Sequence, residues 1–363
     1  MMSLNRRELI LAGTAAALAS CSDAIPRRSA PAGADVAEGA IGVVTTPNPH
    51  VFPFLLAMIL EPDLPVRLLP IAEAVEADSR FAAGEADAML AMTYMGAKKR
   101  MSGAIPDLKL HSVTTWRGFF EVAGEGVKSF ADLRGKTIVV SGPLGSGRGG
   151  GGDVIFQAAA RRQGVVPSRD LAVEYLPASQ GVERVASGQA AGIILPSPGN
   201  TGLVMRSRMA RNPVGGAMMR MLGRSGPSVP LASSIDFQQI FSGFGSFPPG
   251  QLPIGGLHVS ERALAREDKR AKLERIAQAY RRAAGRLAAN PSRHAGQIVE
   301  AFEGYFEALR SATPPARLIS RSIEAGDLVY RGDIPVGAVR EDLSAWLGEL
   351  VGRKVDPDFL AKA

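Results

Sequence analysis

The chain has 363 residues, 46% of them hydrophobic and 6% aromatic, with 42 basic against 35 acidic side chains and a net charge of +7. The basic excess is interleaved with acid, as in Arg266-Glu267-Asp268-Lys269-Arg270. With no long basic block and few rings for base stacking, this argues against a nucleic-acid partner and for a solvated mixed-charge surface. What remains of the excess is a modest preference for anionic ligands or lipid headgroups.

In chain order, Arg6 and Arg7 precede an apolar run from Leu9 to Ala19, followed by Ser20 and Cys21. That is the layout of a signal peptide over residues 1–20, and the run is shorter than the ~20 residues a membrane-crossing helix needs. Leu18-Ala19-Ser20-Cys21 resembles the bacterial lipobox, which predicts a lipidated Cys21 as the mature N-terminus. Cys21 is the only cysteine, so no internal disulfide is expected. Asn5-Arg6-Arg7-Glu8-Leu9-Ile10 fits a twin-arginine export signal and a general secretory leader equally, and both routes stay open. Residues 21–37, rich in Ala, Pro, Gly and Ser, read as a tether. The remaining ~325 residues exceed one ordinary core and suit two lobes.

Short β-like runs then alternate with amphipathic helices, the pattern of an α/β fold with mostly parallel sheets. Strands are predicted at Ala40–Val44, Val66–Ile71, Ala86–Met92 and Leu108–Thr114, with helices at His50–Leu60 and Ala74–Ala83. The pattern restarts with strands Thr137–Val140, Leu171–Leu176 and Ala191–Leu195, a glycine-rich loop from Ser141 to Gly152, and helices Asp153–Gln163 and Gly181–Ser187. Met209–Gly250 carries no assignable pattern. Pro253–Ser260 reads as a returning strand, and Lys269–Asn290, Ala295–Leu309 and Val339–Val351 as closing helices. The expectation is therefore two lobes, 38–122 with 250–363 and 123–249. Each is a mostly parallel sheet flanked by helices, and two crossings join them, near 121–127 and 243–254.

Three segments carry a resemblance to a known group. Phe81-Ala82-Ala83-Gly84-Glu85-Ala86-Asp87-Ala88, Phe130-Ala131-Asp132-Leu133-Arg134-Gly135-Lys136-Thr137 and Val182-Glu183-Arg184-Val185-Ala186-Ser187-Gly188-Gln189-Ala190-Ala191-Gly192 resemble, in order and spacing, recurring segments of type II periplasmic binding proteins. The branch is that of the nitrate, sulfonate, taurine and thiamine-precursor binders, over about residues 38–310. Physically, Gly84 and Gly188 should take the left-handed conformation that ends a helix. The resemblance implies a small-molecule ligand held between the lobes, and an ABC permease and its ATPase as partners. The chain would be a monomer in the periplasm, or on the outer face of the cytoplasmic membrane through the lipid. The carboxyl ends of parallel strands are also where open α/β sheets place ligands. They select Thr45, Thr46, Asn48, Thr93 and Tyr94 in the first lobe, and Ser141, Pro143, Ser146, Gly147, Arg148, Gly149, Ser197 and Asn200 in the second.

Two other readings stay open. Gly145-Ser146-Gly147-Arg148-Gly149-Gly150 fits the G-x-G-x-x-G fingerprint of a dinucleotide-binding enzyme, but the acidic residue that should follow is met only loosely by Glu174. The Met-rich stretch Met205–Met221 would suit a lipoprotein that binds a partner protein or a hydrophobic solute. The four histidines, His50, His111, His258 and His294, lie too far apart for a metal motif. No G-x-S-x-G elbow or cysteine-rich synthase motif occurs. No catalytic residue, cofactor or metal is expected.

Overall fold

In a computed structural model, residues 39–142, 147–221, 227–307 and 313–361 are described. The leader, Cys21, the tether, Pro143 and Ser146 lie outside them. The first sheet begins with β1 (Ile41–Thr45), α1 (Phe52–Leu60), β2 (Val66–Pro70), α2 (Glu76–Ala82), β3 (Ala88–Met92), α3 (Thr93–Ser102) and β4 (Leu108–Arg117). The second holds β5 (Phe119–Gly124), β6 (Thr137–Gly142), α4 (Gly151–Arg162), β7 (Ala172–Pro177), α5 (Ala178–Ala186), β8 (Gly192–Pro196), α6 (Gly199–Arg211), α7 (Pro213–Met221) and β9 (Leu231–Asp236). The chain then returns through β10 (Gly255–Ser260), α8 (Glu267–Ala289), α9 (Pro291–Tyr305), α10 (Ala316–Glu324), β11 (Val329–Tyr330) and α11 (Arg340–Val351).

Strand order is β11-β4-β10-β3-β1-β2 in the first sheet and β7-β6-β8-β5-β9 in the second. β1 runs parallel to β2 and β3, and β6 to β7 and β8. β10 and β5, the strands that follow a crossing between the sheets, pair antiparallel to their neighbours. The fold is α/β with two helix-flanked sheets, as the sequence predicts, but each sheet is mixed where a mostly parallel one was expected, because β5 and β10 pair antiparallel with both neighbours.

Local chemistry explains the connections. Gly84 and Gly188 have φ of 73° and 77°, and after each the next amide bonds back to the last turn: Glu85 N to Arg80 O and Gln189 N to Arg184 O. A side chain at either glycine would strain this helix stop. Ser129 and Asp132 form a capping box around the turn Phe130–Leu133, which delivers the chain into β6.

The structure differs from the sequence reading in several places. The chain passes between sheets at Gly118, ahead of the expected 121–127. The apolar run continues through Trp116, Phe119 and Phe120 with no turn residues to separate β4 from β5. α3 is unassigned in the sequence because Gly96 interrupts its pattern; Gly96 is required there, since a Cβ would fall on the His258 ring. The unassigned Met209–Gly250 contains the end of α6, then α7, β9 and a one-turn helix, Phe237–Ile240.

The largest buried cluster crosses both sheets, joining Tyr94, Val113 and Trp116 to Phe130, Ile138 and Phe156. The C-terminal helix α11 completes it, packing on α3 and α4 together. Its Trp346 meets Phe241 edge-on with centroids 4.6 Å apart. Arg162 of α4 grips Glu349 of α11 at 2.7 and 2.8 Å. The C-terminal residues, expected wholly in the first lobe, thus serve both.

Candidate functional site

In the first lobe the predicted residues follow β1 and β3. Thr45 ends β1, buried, and donates to Leu90 O at 3.0 Å. Asn48 donates to Thr46 O and Oγ1 at 3.0 and 2.9 Å, and its Oδ1 accepts from His50 N at 2.8 Å. The loop is thereby rigid before any ligand arrives. Thr93 opens α3 and donates to Pro253 O. Tyr94 is buried and donates across to Gly149 O of the other lobe at 3.2 Å.

In the second lobe Ser141 donates to Ile194 O at 2.8 Å, fixing the end of β6 against β8. Gly147 and Gly149 both have positive φ, 77° and 69°, which lets the loop fold onto itself through Gly150 N to Gly147 O. Asp153, buried in the first turn of α4, accepts from Gly149 N at 2.8 Å and from Tyr175 OH at 3.0 Å. Exposed Arg148 lies over the Tyr175 ring, 4.0 Å from its centroid, a cation–π contact. Ser197 donates to Asn200 Oδ1 at 2.7 Å, and Asn200 Nδ2 reaches Ser233 Oγ at 3.4 Å.

The two lobes touch at the amino end of α4. Besides the Tyr94–Gly149 bond, a Cβ on Gly151 would collide with the Met92 sulfur and approach the Phe119 ring. The structure therefore brings Tyr94 together with Arg148 and Gly149's loop. The Thr45–Asn48 loop shares no hydrogen bond with Ser197 or Asn200 among the described residues.

Several residues at this junction escape sequence reasoning. Half-buried Asp327, between α10 and β11, accepts from Thr201 Oγ1 at 3.1 Å, and its carbonyl lies 3.1 Å from Ser197 Oγ. It thus lies beside the first turn of α6, bonded to side chains and not to the helix N–H groups, and burial raises its pKa. Arg117 pairs with Asp236, donates to Gly250 O at 2.6 Å and lies over Phe120; it ties both crossings together. Gln238, buried, accepts from Phe119 N at 3.0 Å and donates to Phe119 O at 2.9 Å. Only Arg117 left a signal, a charge beside Gly118 between apolar segments.

The histidines belong to the scaffold. His50 and His258 are lowered to about 4, in both cases by burial first and for His50 also by His258. Both are therefore neutral at neutral pH. Among the described residues no group of three or more His, Cys, Asp or Glu could hold a metal. Nor is any helix among them long and apolar enough to cross a membrane. Glu174, the acid that a dinucleotide site would require, is bound by Arg184.

No protein-family model matches the sequence, and no curated protein matches it. Solved structures do match. An ABC transporter protein from Parabacteroides distasonis superposes with a TM-score of 0.56 at 15% identity, over 89% of this chain and 99% of that one. The periplasmic aliphatic sulphonate binding protein SsuA from Escherichia coli gives 0.56 at 11% identity, over 88% and 91%. The alkanesulfonate-binding protein SsuA from Xanthomonas axonopodis pv. citri, bound to MOPS, gives 0.53 at 14%, over 89% and 98%.

The fold is that of the two-lobed periplasmic binding proteins. In this structure the carboxyl end of β3 meets the loop and helix start that follow β6. Open α/β sheets bind ligands at such strand ends. The helix α4 begins at one of these ends and meets β3 at the other, so its amino end and the Gly147–Gly149 loop are the part of the site nearest both lobes.

Proposed function

We propose that this chain is an extracytoplasmic substrate-binding lipoprotein, anchored through Cys21, that captures a small polar or anionic solute between its lobes and delivers it to an ABC permease and its ATPase. It is a binding protein and not an enzyme. The observation that carries the reading is the junction of Met92 and Tyr94 with Gly149 and Gly151, where both lobes meet over one helix start in a fold shared with ABC-importer binding proteins.

The chemistry favours an anion at this point. Both α6 and α4 begin without a side-chain cap, and α4, which starts at Gly150, has Arg148 alongside. Backbone N–H groups and the helix dipole attract negative charge there, and a guanidinium adds a bidentate partner for a carboxylate, sulfonate or phosphate. Thr45, Thr46, Asn48, Thr93, Ser141, Ser197 and Asn200 shape the walls.

A thermal-shift screen of the mature protein against nitrogen, sulfur and one-carbon metabolites tests the reading. A true ligand at 100 times its dissociation constant stabilises the fold by about 2.7 kcal/mol. If sulfonates, nitrate and comparable small anions all leave the melting curve unmoved while a nucleotide raises it, the binding-protein reading fails.

A further inference from the structure

We propose that α6 and α7 form a membrane-surface contact, lying against anionic phospholipid headgroups with their apolar side chains in the acyl boundary. Of the eight large hydrophobic residues exposed among the described ones, six fall between residues 205 and 229: Met205, Met209, Val214, Met218, Met221 and Val229. Elsewhere only Val75 and Val166 are exposed. This concentration makes a patch, where scattered exposure would need no explanation.

The geometry makes it continuous. Val214, Met218 and Met221 follow i, i+4, i+7 spacing, one outward stripe of α7, and are 78%, 55% and 81% exposed. Met205 and Met209 are i, i+4 on α6. The helices touch where Gly215 packs on Met209, with no room for a Cβ, so the stripes adjoin. Meanwhile Met219 and Leu203 turn inward and are buried. The apolar face is thus surplus to the core.

Charge selects the occupant. From Val185 to Ile235 the sequence contains five arginines, Arg206, Arg208, Arg211, Arg220 and Arg224, and no acidic residue. Arg211 pairs with Glu125, just beyond the end of β5; by sequence the stretch is basic throughout. Arginines beside exposed Met and Val are the composition of an interfacial helix, attracted to anionic headgroups while apolar side chains enter the acyl region. A second copy would set this basic stretch against itself, at an electrostatic cost. The inference stands apart from the solute-binding reading, because it uses neither the cleft nor a ligand.

The chain from Ser22 onward, without the apolar leader or the Cys21 anchor, is sedimented with vesicles of phosphatidylethanolamine and phosphatidylglycerol, and separately with phosphatidylcholine vesicles. Binding is expected on the anionic vesicles only, weakening as salt rises. The combined variant Val214→Ser, Met218→Ser, Met221→Ser should lose about tenfold or more of the affinity, with an unchanged thermal midpoint because these side chains are exposed. Val75→Ser, on an exposed residue outside the patch, should bind as the parent does. Failure to sediment with anionic vesicles, or binding that survives the triple substitution, would overturn the proposal. So would a concentration-dependent dimer that the triple substitution abolishes, which would assign the patch to self-association.

Discussion

Glu121 is the residue least at home in its surroundings. It sits in the middle of β5, fully buried, on the strand face that Phe119 and Ala123 present to the large core. Neither carboxyl oxygen has a hydrogen-bond partner. Burial alone pushes its pKa up to about 8 from 4.5, so the side chain is held protonated near neutrality. Below the ordinary carboxylate pKa both folded and unfolded chains carry the proton and nothing is lost. Between there and about 8 the unfolded chain sheds a proton that the folded one retains, so stability falls as pH rises, by at most on the order of 5 kcal/mol. Above that the loss levels off. Glu121→Met, which removes the carboxyl while keeping its length, should raise the melting temperature at pH 8 more than at pH 5 and flatten this dependence. Equal melting temperatures at pH 8 would show that the carboxyl is solvated after all.

Arg148 is the residue on which the anion reading turns. Its stacking on Tyr175 presets the guanidinium beside the loop, while Asp153 holds Gly149 N and so competes for the same donors. In titration calorimetry with the ligand found by thermal shift, Arg148→Ala should cost about 1.5–3 kcal/mol, the range for hydrogen bonds to charged groups. Affinity within error of the parent would leave Arg148 as a surface residue stacked on a tyrosine.

At the scale of elements, α11 decides how independent the lobes are. Because it packs on α3 and α4 at once and buries Trp346 against Phe241 and Phe244, the two sheets share one core on that side. The protein should therefore unfold in a single calorimetric transition, and Trp346→Ala should destabilise it by about 3–5 kcal/mol. Two separate transitions in the parent would contradict this coupling.

What the sequence made legible at this scale were the elements with strong local grammar. Gly84 and Gly188 announced two helix stops, because that conformation depends on neighbours within six residues. α3 stayed hidden because Gly96 answers to His258, a residue on another strand. β5 merged with β4 because a one-residue crossing at Gly118 needs no turn chemistry. The candidate site was drawn from loops at strand ends, which follows from the order of elements. Asp327, Gln238 and Met92 were not, since each earns its place through a partner about thirty or more residues away.

For the whole molecule, Arg117 joins both crossings through Asp236 and Gly250, and the lobes meet again where Tyr94 bonds Gly149 and Met92 packs on Gly151. Two crossings allow the lobes to rotate as units, and a ligand that touches both favours the closed arrangement by its differential affinity. The α11 seam makes this a rotation about one side. The most direct measurement is small-angle scattering of the mature protein with and without the ligand identified by thermal shift. Capture between the lobes predicts a smaller radius of gyration at saturation than in the free protein; an identical scattering profile at saturation would contradict it.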